Sequence, residues 1–176
     1  MDGYSEDFLK SKITDLPDYP EKGVVGKDIT TLLKDRKAFA LCIEGLADHF
    51  RDRGIDYVVG IEALGFIIGA ALAEELGCGF VPIRKKGKLP RKTVSKKYVL
   101  GHGTETLEIH EDAIEPGGRA LIADDLIATG GTARAAADLL KRIGANVIGF
   151  AFLVELTEFK GVEKLGPGEI FSLIKY

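Results

Sequence analysis

Cysteine is scarce in this chain: Cys42 and Cys78 are the only two in 176 residues. Two are too few for a disulfide framework and their spacing suits no metal site. Both read as small buried apolar side chains in a reducing compartment. Long hydrophobic runs are missing as well, so no segment reads as a membrane span. The first residues, MDGYSEDFLK, are acidic and lack the apolar core of a signal peptide, so a cytoplasmic location is expected. Neither sign of charge dominates. With 24 basic and 27 acidic residues the net charge is −3, which gives no support to a nucleic-acid partner. Repeats, low-complexity tracts and interdomain linkers are absent too. What remains is 45% hydrophobic and 29% charged, the composition of one globular domain with a full core.

The most informative stretch is ALIADDLIATGGT, from Ala120 to Thr132. Ala120–Ala123 is a short apolar run that Asp124 and Asp125 end. Leu126 and Ile127 follow, then the small residues Ala128, Thr129, Gly130, Gly131 and Thr132, then an alanine-rich segment. This is a buried strand, a glycine loop and a helix start. Small residues let backbone approach a ligand, and free N–H groups at the positive end of a helix seat a phosphate. Thr129 and Thr132 add hydroxyl donors. Two carboxylates at the strand's carboxyl end, where open α/β sheets place ligands, would repel a bare phosphate. They suit a ligand that also offers hydroxyls or a divalent cation. No Gly-Lys-Ser/Thr follows the glycines, which excludes a nucleotide-triphosphate P-loop, and no G-x-G-x-x-G triad marks a dinucleotide site. For Gly-Gly alone a plain capped turn would be preferred; the whole run favours a ligand site.

The rest of the chain reads as α/β. Glu6–Ile13 is a short helix. Pro17 and Pro20 make the next stretch an extended arm, with Val24–Asp28 irregular and Gly23 and Gly26 as its flexible points. Asp35–Arg53 is an amphipathic helix with Phe39, Cys42, Ile43, Leu46 and Phe50 on one face. Asp56–Ile61, Phe66–Leu76 and Gly79–Arg84 form a strand–helix–strand unit. Arg84–His102 carries eight cations and reads as a flap over a polyanion, with a solvated loop as the plainer alternative. Thr104–Ile109 is a strand that can pair with Lys97–Leu100. Ala133–Ile143 is a helix capped by Gly144. Asn146–Val154 is an interior strand, Lys160–Leu165 a short polar helix or turn and Ile170–Ile174 a last strand.

Several stretches, in order, resemble the adenine phosphoribosyltransferases among the type I phosphoribosyltransferases: LPDYPEKGVVGKDIT, VGIEALGFIIGAALAEELG, FVPIRKKGKLP, TLEIHEDAIEPG, ALIADDLIATGGT and FLVELTEFKGVEKL. The resemblance implies a single domain with a mostly parallel central sheet flanked by helices. It implies a small hood, built from about residues 1–34 and 155–176, and a flexible loop over the site. It implies transfer of ribose 5-phosphate from phosphoribosyl diphosphate (PRPP) to a purine base with Mg²⁺, giving a nucleoside monophosphate and diphosphate, by a cytoplasmic homodimer. Carried over residue by residue, Ala128, Thr129, Gly130, Gly131 and Thr132 would hold the 5-phosphate. Asp124 and Asp125 would face the ribose hydroxyls and favour its cationic transition state. Glu62, Ala63, Leu64 and Gly65 would form the diphosphate loop, with Arg84, Lys85 and Lys88 neutralising the leaving group. Val25, Gly26, Lys27 and Leu156 would border the base. Mg²⁺ would bridge PRPP oxygens with no direct protein ligand.

Four departures fall on the substrate side. Leu64 stands where the family usually has arginine, and an aliphatic side chain makes no bidentate phosphate contact. Gly26 replaces a phenylalanine beside the base and Lys27 an arginine. Gly101 and His102 replace a Glu-Tyr pair. A free imidazole titrates near neutrality, so His102 is a candidate proton donor, although a solvated histidine at a hairpin tip is the plainer reading. None of the four lies in the ribose-phosphate motif, so PRPP binding is a firmer expectation than adenine, which is the leading base. A hypoxanthine or guanine enzyme, or a non-catalytic PRPP or nucleotide sensor on the same fold, are the alternatives. Retention of Lys85, Lys88 and the GKLP turn favours an enzyme over a sensor.

Overall fold

The structure is a computed structural model that describes residues 5–19, 22–100 and 103–176. Ser5 starts the first helix, Glu6–Lys10 (α1), by accepting from the N–H of Phe8. The helix ends three residues before Ile13, and the chain turns into strand Thr14–Pro17 (β1). This strand pairs antiparallel with Val25–Asp28 (β2), in the register Thr14 opposite Asp28 and Pro17 opposite Val25. The expected irregular segment is therefore a strand. Pro17, which has no N–H, sits at the end of a two-stranded ribbon where a missing donor costs little. Asp28 then accepts from both the N–H and the hydroxyl of Thr30, starting the short helix Thr30–Leu33 (α2).

Asp35 caps helix Arg36–Phe50 (α3) by accepting from the N–H groups of Lys37 and Ala38. A further turn, Arg51–Arg53, leads to Gly54 at φ +61°. Strand Tyr57–Ile61 (β3), helix Gly65–Leu76 (α4) and strand Gly79–Lys85 (β4) form the expected parallel unit. Thr93–Leu100 (β5) and Gly103–His110 (β6) make a hairpin longer than the sequence suggests, paired from Thr93–His110 to Leu100–Gly103. Strand Arg119–Ile127 (β7) continues through the acid pair instead of stopping before it. The reason is its neighbour: strand Asn146–Glu155 (β8) pairs with β7 as far as Ile127–Glu155, so the ladder carries the backbone past the carboxylates. Helix Gly131–Arg142 (α5) follows, and strand Glu169–Lys175 (β9) closes the chain.

One seven-stranded sheet results, in the order β5-β6-β4-β3-β7-β8-β9. Strands β4, β3, β7, β8 and β9 are parallel, and the hairpin is antiparallel at one edge. Side chains alternate across it. Leu121 and Ala123 of β7 pack with α3 and α4, while Ala120 and Ile122 pack with the alanines and leucines of α5. Both faces are covered, as a parallel sheet requires. The carboxyl ends of β3, β7 and β8 consequently share one rim, with the β1–β2 ribbon beside it. Among the described residues, no helix is long and apolar enough to cross a membrane.

Candidate active site

At this rim β7 passes into a loop and then into α5. Gly130 precedes α5 at φ +78°, a left-handed conformation that glycine adopts freely. It brings no side chain to cap the helix, so no cap side chain takes up the first-turn N–H groups. The loop is braced from behind. A Cβ on Gly130 would lie 2.3 Å from the carbonyl of Gly161, and a Cβ on Gly161 would lie 2.1 Å from the carbonyl of Ala128. Two glycines thus let two backbones touch and fix the loop's shape. In front, the hairpin leans on the same place: a Cβ on Gly131 would meet the Val99 carbonyl at 3.3 Å. The Tyr98 hydroxyl donates to Glu105 at 3.2 Å. Burial pushes that phenol's pKa up, against the opposing pull of the Thr132 hydroxyl beside it.

Asp124 is buried, 9% exposed, and Asp125 is partly so. Asp124 Oδ1 takes the N–H of Asp125 at 3.0 Å. Burial, with Asp125 next, pushes the Asp124 carboxyl well above the usual carboxylate range, and burial raises Asp125 as well. Gly65, first residue of α4, makes room for this carboxyl: a Cβ there would come within 2.6 Å of Asp124 Oδ1. A raised pair of acids at an open rim is poised to take on positive charge.

The loop Glu62–Gly65 lies alongside, with a cis peptide between Glu62 and Ala63. Glu62 accepts from the Lys85 N–H at 2.8 Å and from Arg84 Nε at 3.3 Å. Burial alone would raise its pKa, but that N–H and the guanidinium outweigh it and hold the carboxylate below the usual range. Arg84 also donates to the Lys88 carbonyl at 3.2 Å. Glu62, Arg84, Lys85 and Lys88 therefore meet at one corner. The flap's cations are less free than a bare charge run suggests. Lys85 faces Glu105, Arg91 faces Asp112, and Lys96 faces Asp138 at 2.7 Å. Leu64, from the same loop, lines an apolar cavity.

That cavity, about 640 Å³, opens between the rim and the ribbon. Gly26, Lys27 and Leu156 border it, and so do Asp125, Ala128 and Thr129. Val25 lies on the other side of Leu156, in a smaller hollow of about 330 Å³ with Tyr176. Lys27 pairs with Asp15 at 2.6 Å, and its Nζ lies 3.8 Å from the centre of the Tyr176 ring, so its charge is spent away from the cavity. The cavity also collects Leu16, Tyr19, Leu100, Leu126 and Phe159, none of which the sequence singled out as site residues. Only Leu126, inside the central motif, carried a signal that would have found it. His102 and Gly101 lie outside the described residues.

A glycine loop at a strand's carboxyl end, an acid pair beside it and a cationic corner meet at one rim of an α/β sheet. The family pattern described as "Phosphoribosyl transferase domain" matches residues 28–168. The adenine phosphoribosyltransferase of Halothermothrix orenii is 52% identical over 167 residues, covering 95% of this chain and 98% of that protein. The crystal structure of the adenine phosphoribosyltransferase from Thermoanaerobacter pseudethanolicus superposes with a TM-score of 0.94 at 49% identity, covering 98% of this chain and all of that one. The Saccharomyces cerevisiae enzyme, complexed with an imino-altritol bisphosphate and adenine, gives 0.90 at 36% identity, covering 96% and 98%. The chain belongs to the phosphoribosyltransferase family, in its type I fold.

Proposed function

We propose that this protein is an adenine phosphoribosyltransferase, which transfers ribose 5-phosphate from PRPP to adenine to give AMP and diphosphate. The observation that carries this reading is that the glycine loop, the acid pair and the apolar cavity are contiguous. Asp125, Ala128 and Thr129 line the same space as Leu126 and Leu156. A 5-phosphate held at Ala128–Thr132 places a ribose over Asp124 and Asp125 and a base among the leucines. As the bond from the anomeric carbon to diphosphate breaks, the ribose becomes cationic, and the acid pair steadies it. The purine nitrogen, held in plane by the cavity, then forms the new bond from close range. Arg84, Lys85 and Lys88 take the charge of the departing diphosphate.

Among the described residues no three His, Cys, Asp or Glu cluster as a metal cage. The acid pair suits a Mg²⁺ that arrives on the substrate's own oxygens, where it would neutralise the diphosphate. The family resemblance also supports a cytoplasmic homodimer. Sedimentation of a single species near the 19.0 kDa of one chain would contradict that assembly.

The test is base consumption with PRPP and Mg²⁺, run in parallel on adenine, hypoxanthine, guanine and xanthine. Adenine should turn over with a kcat/KM far above the other three. Preference for a 6-oxopurine would assign the cavity to another base, and no turnover with any base would make this a PRPP-binding protein without transferase activity.

A further inference from the structure

The cavity wall formed by the ribbon contains an unusual pair. Gly26 of β2 has no side chain, and the space beside it is filled by Tyr19: a Cβ on Gly26 would meet Tyr19 Cδ1 and the Tyr19 carbonyl, each at 2.8 Å. Tyr19 is nonetheless 59% exposed, and it lines the cavity. An aromatic ring left in water at a concave site is costly unless something covers it. Its position is fixed. The Tyr19 N–H donates to the Val24 carbonyl at 3.1 Å, and Asp18, at φ +57°, accepts from the Gly23 N–H at 2.7 Å. The turn thus holds the backbone that carries the ring, and the missing Cβ at Gly26 leaves room for it. Leu126, Leu156 and Phe159 line the same cavity. An exposed aromatic ring among apolar side chains suits a planar heterocycle.

We propose that Tyr19 is a base-binding residue, whose ring stacks on the purine and is admitted by the missing side chain at Gly26. The proposal rests on the reading that this cavity takes the base. Stacking is sequence-blind to the edge of the ring system, so Tyr19 contributes affinity for a purine, while discrimination among purines falls to the groups around its rim.

The experiment compares Tyr19→Ala and Tyr19→Phe with the unaltered protein, by steady-state kinetics and by quenching of 2-aminopurine fluorescence. Quenching reports stacking directly, and an aminopurine can be excited where tyrosine does not absorb. Tyr19→Ala should raise the adenine KM about tenfold. It should leave the PRPP KM and the melting temperature unchanged and weaken 2-aminopurine quenching to match. Tyr19→Phe should restore both values, because the ring and not the hydroxyl is at work. An unchanged adenine KM in Tyr19→Ala would overturn the proposal while leaving the transferase reading intact, and so would a loss in Tyr19→Phe equal to that in Tyr19→Ala. If the unaltered protein neither quenches 2-aminopurine nor consumes any purine, the base reading of the cavity falls, and the proposal with it.

Discussion

Asp124 sits where a carboxylate is expensive: buried, beside a second acid, with its pKa raised by that burial first and by Asp125 second. The linkage has a definite sign. At low pH both folded and unfolded chains hold the proton and nothing is lost. As pH rises past the ordinary aspartate value, about 3.9, the unfolded chain ionises first and the folded state loses stability until its own higher pKa is passed. Asp124→Asn removes this loss. It should raise the melting temperature at neutral pH, with the gain fading as pH falls to about 4, yet lower kcat by about a hundredfold, since the charge that steadies the ribose is gone. A melting temperature that drops at neutral pH, or an unchanged kcat, would contradict this role. Leu64→Arg is the complementary case. A guanidinium there should tighten diphosphate about tenfold in a competition assay if the loop keeps a diphosphate-facing geometry. The central acids and the loop were legible because they are contiguous in sequence. Leu100, Phe159 and Tyr19 were not, because the cavity gathers separate segments of the chain that only the folded topology brings together.

Elements of regular pattern were equally plain to read. The strand–helix–strand unit from Tyr57 to Lys85 and the start of β7 follow from apolar runs and glycine stops. The β1–β2 ribbon was hidden, because its Pro17 and Gly26 argue against a strand locally and only cross-strand pairing makes one. The contact between the glycine loop and the turn Gly161–Lys164 was hidden for a different reason. It joins backbone to backbone over some thirty residues and leaves no side-chain pattern. It is also the element-scale prediction. Gly161→Ala pushes a methyl into the Ala128 carbonyl, so the loop must move. The PRPP KM should rise at least roughly tenfold, since misplacement by about an ångström is costly in an oriented site. Gly166→Ala has only the tip of Arg134 near it, at 4.0 Å, and should leave the PRPP KM unchanged. Equal behaviour of the two variants would mean that the brace does not shape the loop.

For the whole molecule, the sheet has both faces covered and keeps one rim for chemistry, so ligands there stabilise the fold without remodelling it. PRPP with Mg²⁺ at a hundredfold excess over its Kd should add about 2.7 kcal/mol and raise the melting temperature by roughly 5–10 °C. Ribose 5-phosphate should do so in part, through the glycine loop alone. The most direct measurement is a crystal structure of the complex with AMP. The account predicts the phosphate within hydrogen-bond distance of the N–H groups of Thr129–Thr132, the ribose hydroxyls on Asp124 and Asp125, and the adenine between Tyr19 and Leu156. A phosphate seated anywhere else, or an AMP whose base lies outside the cavity, would contradict it.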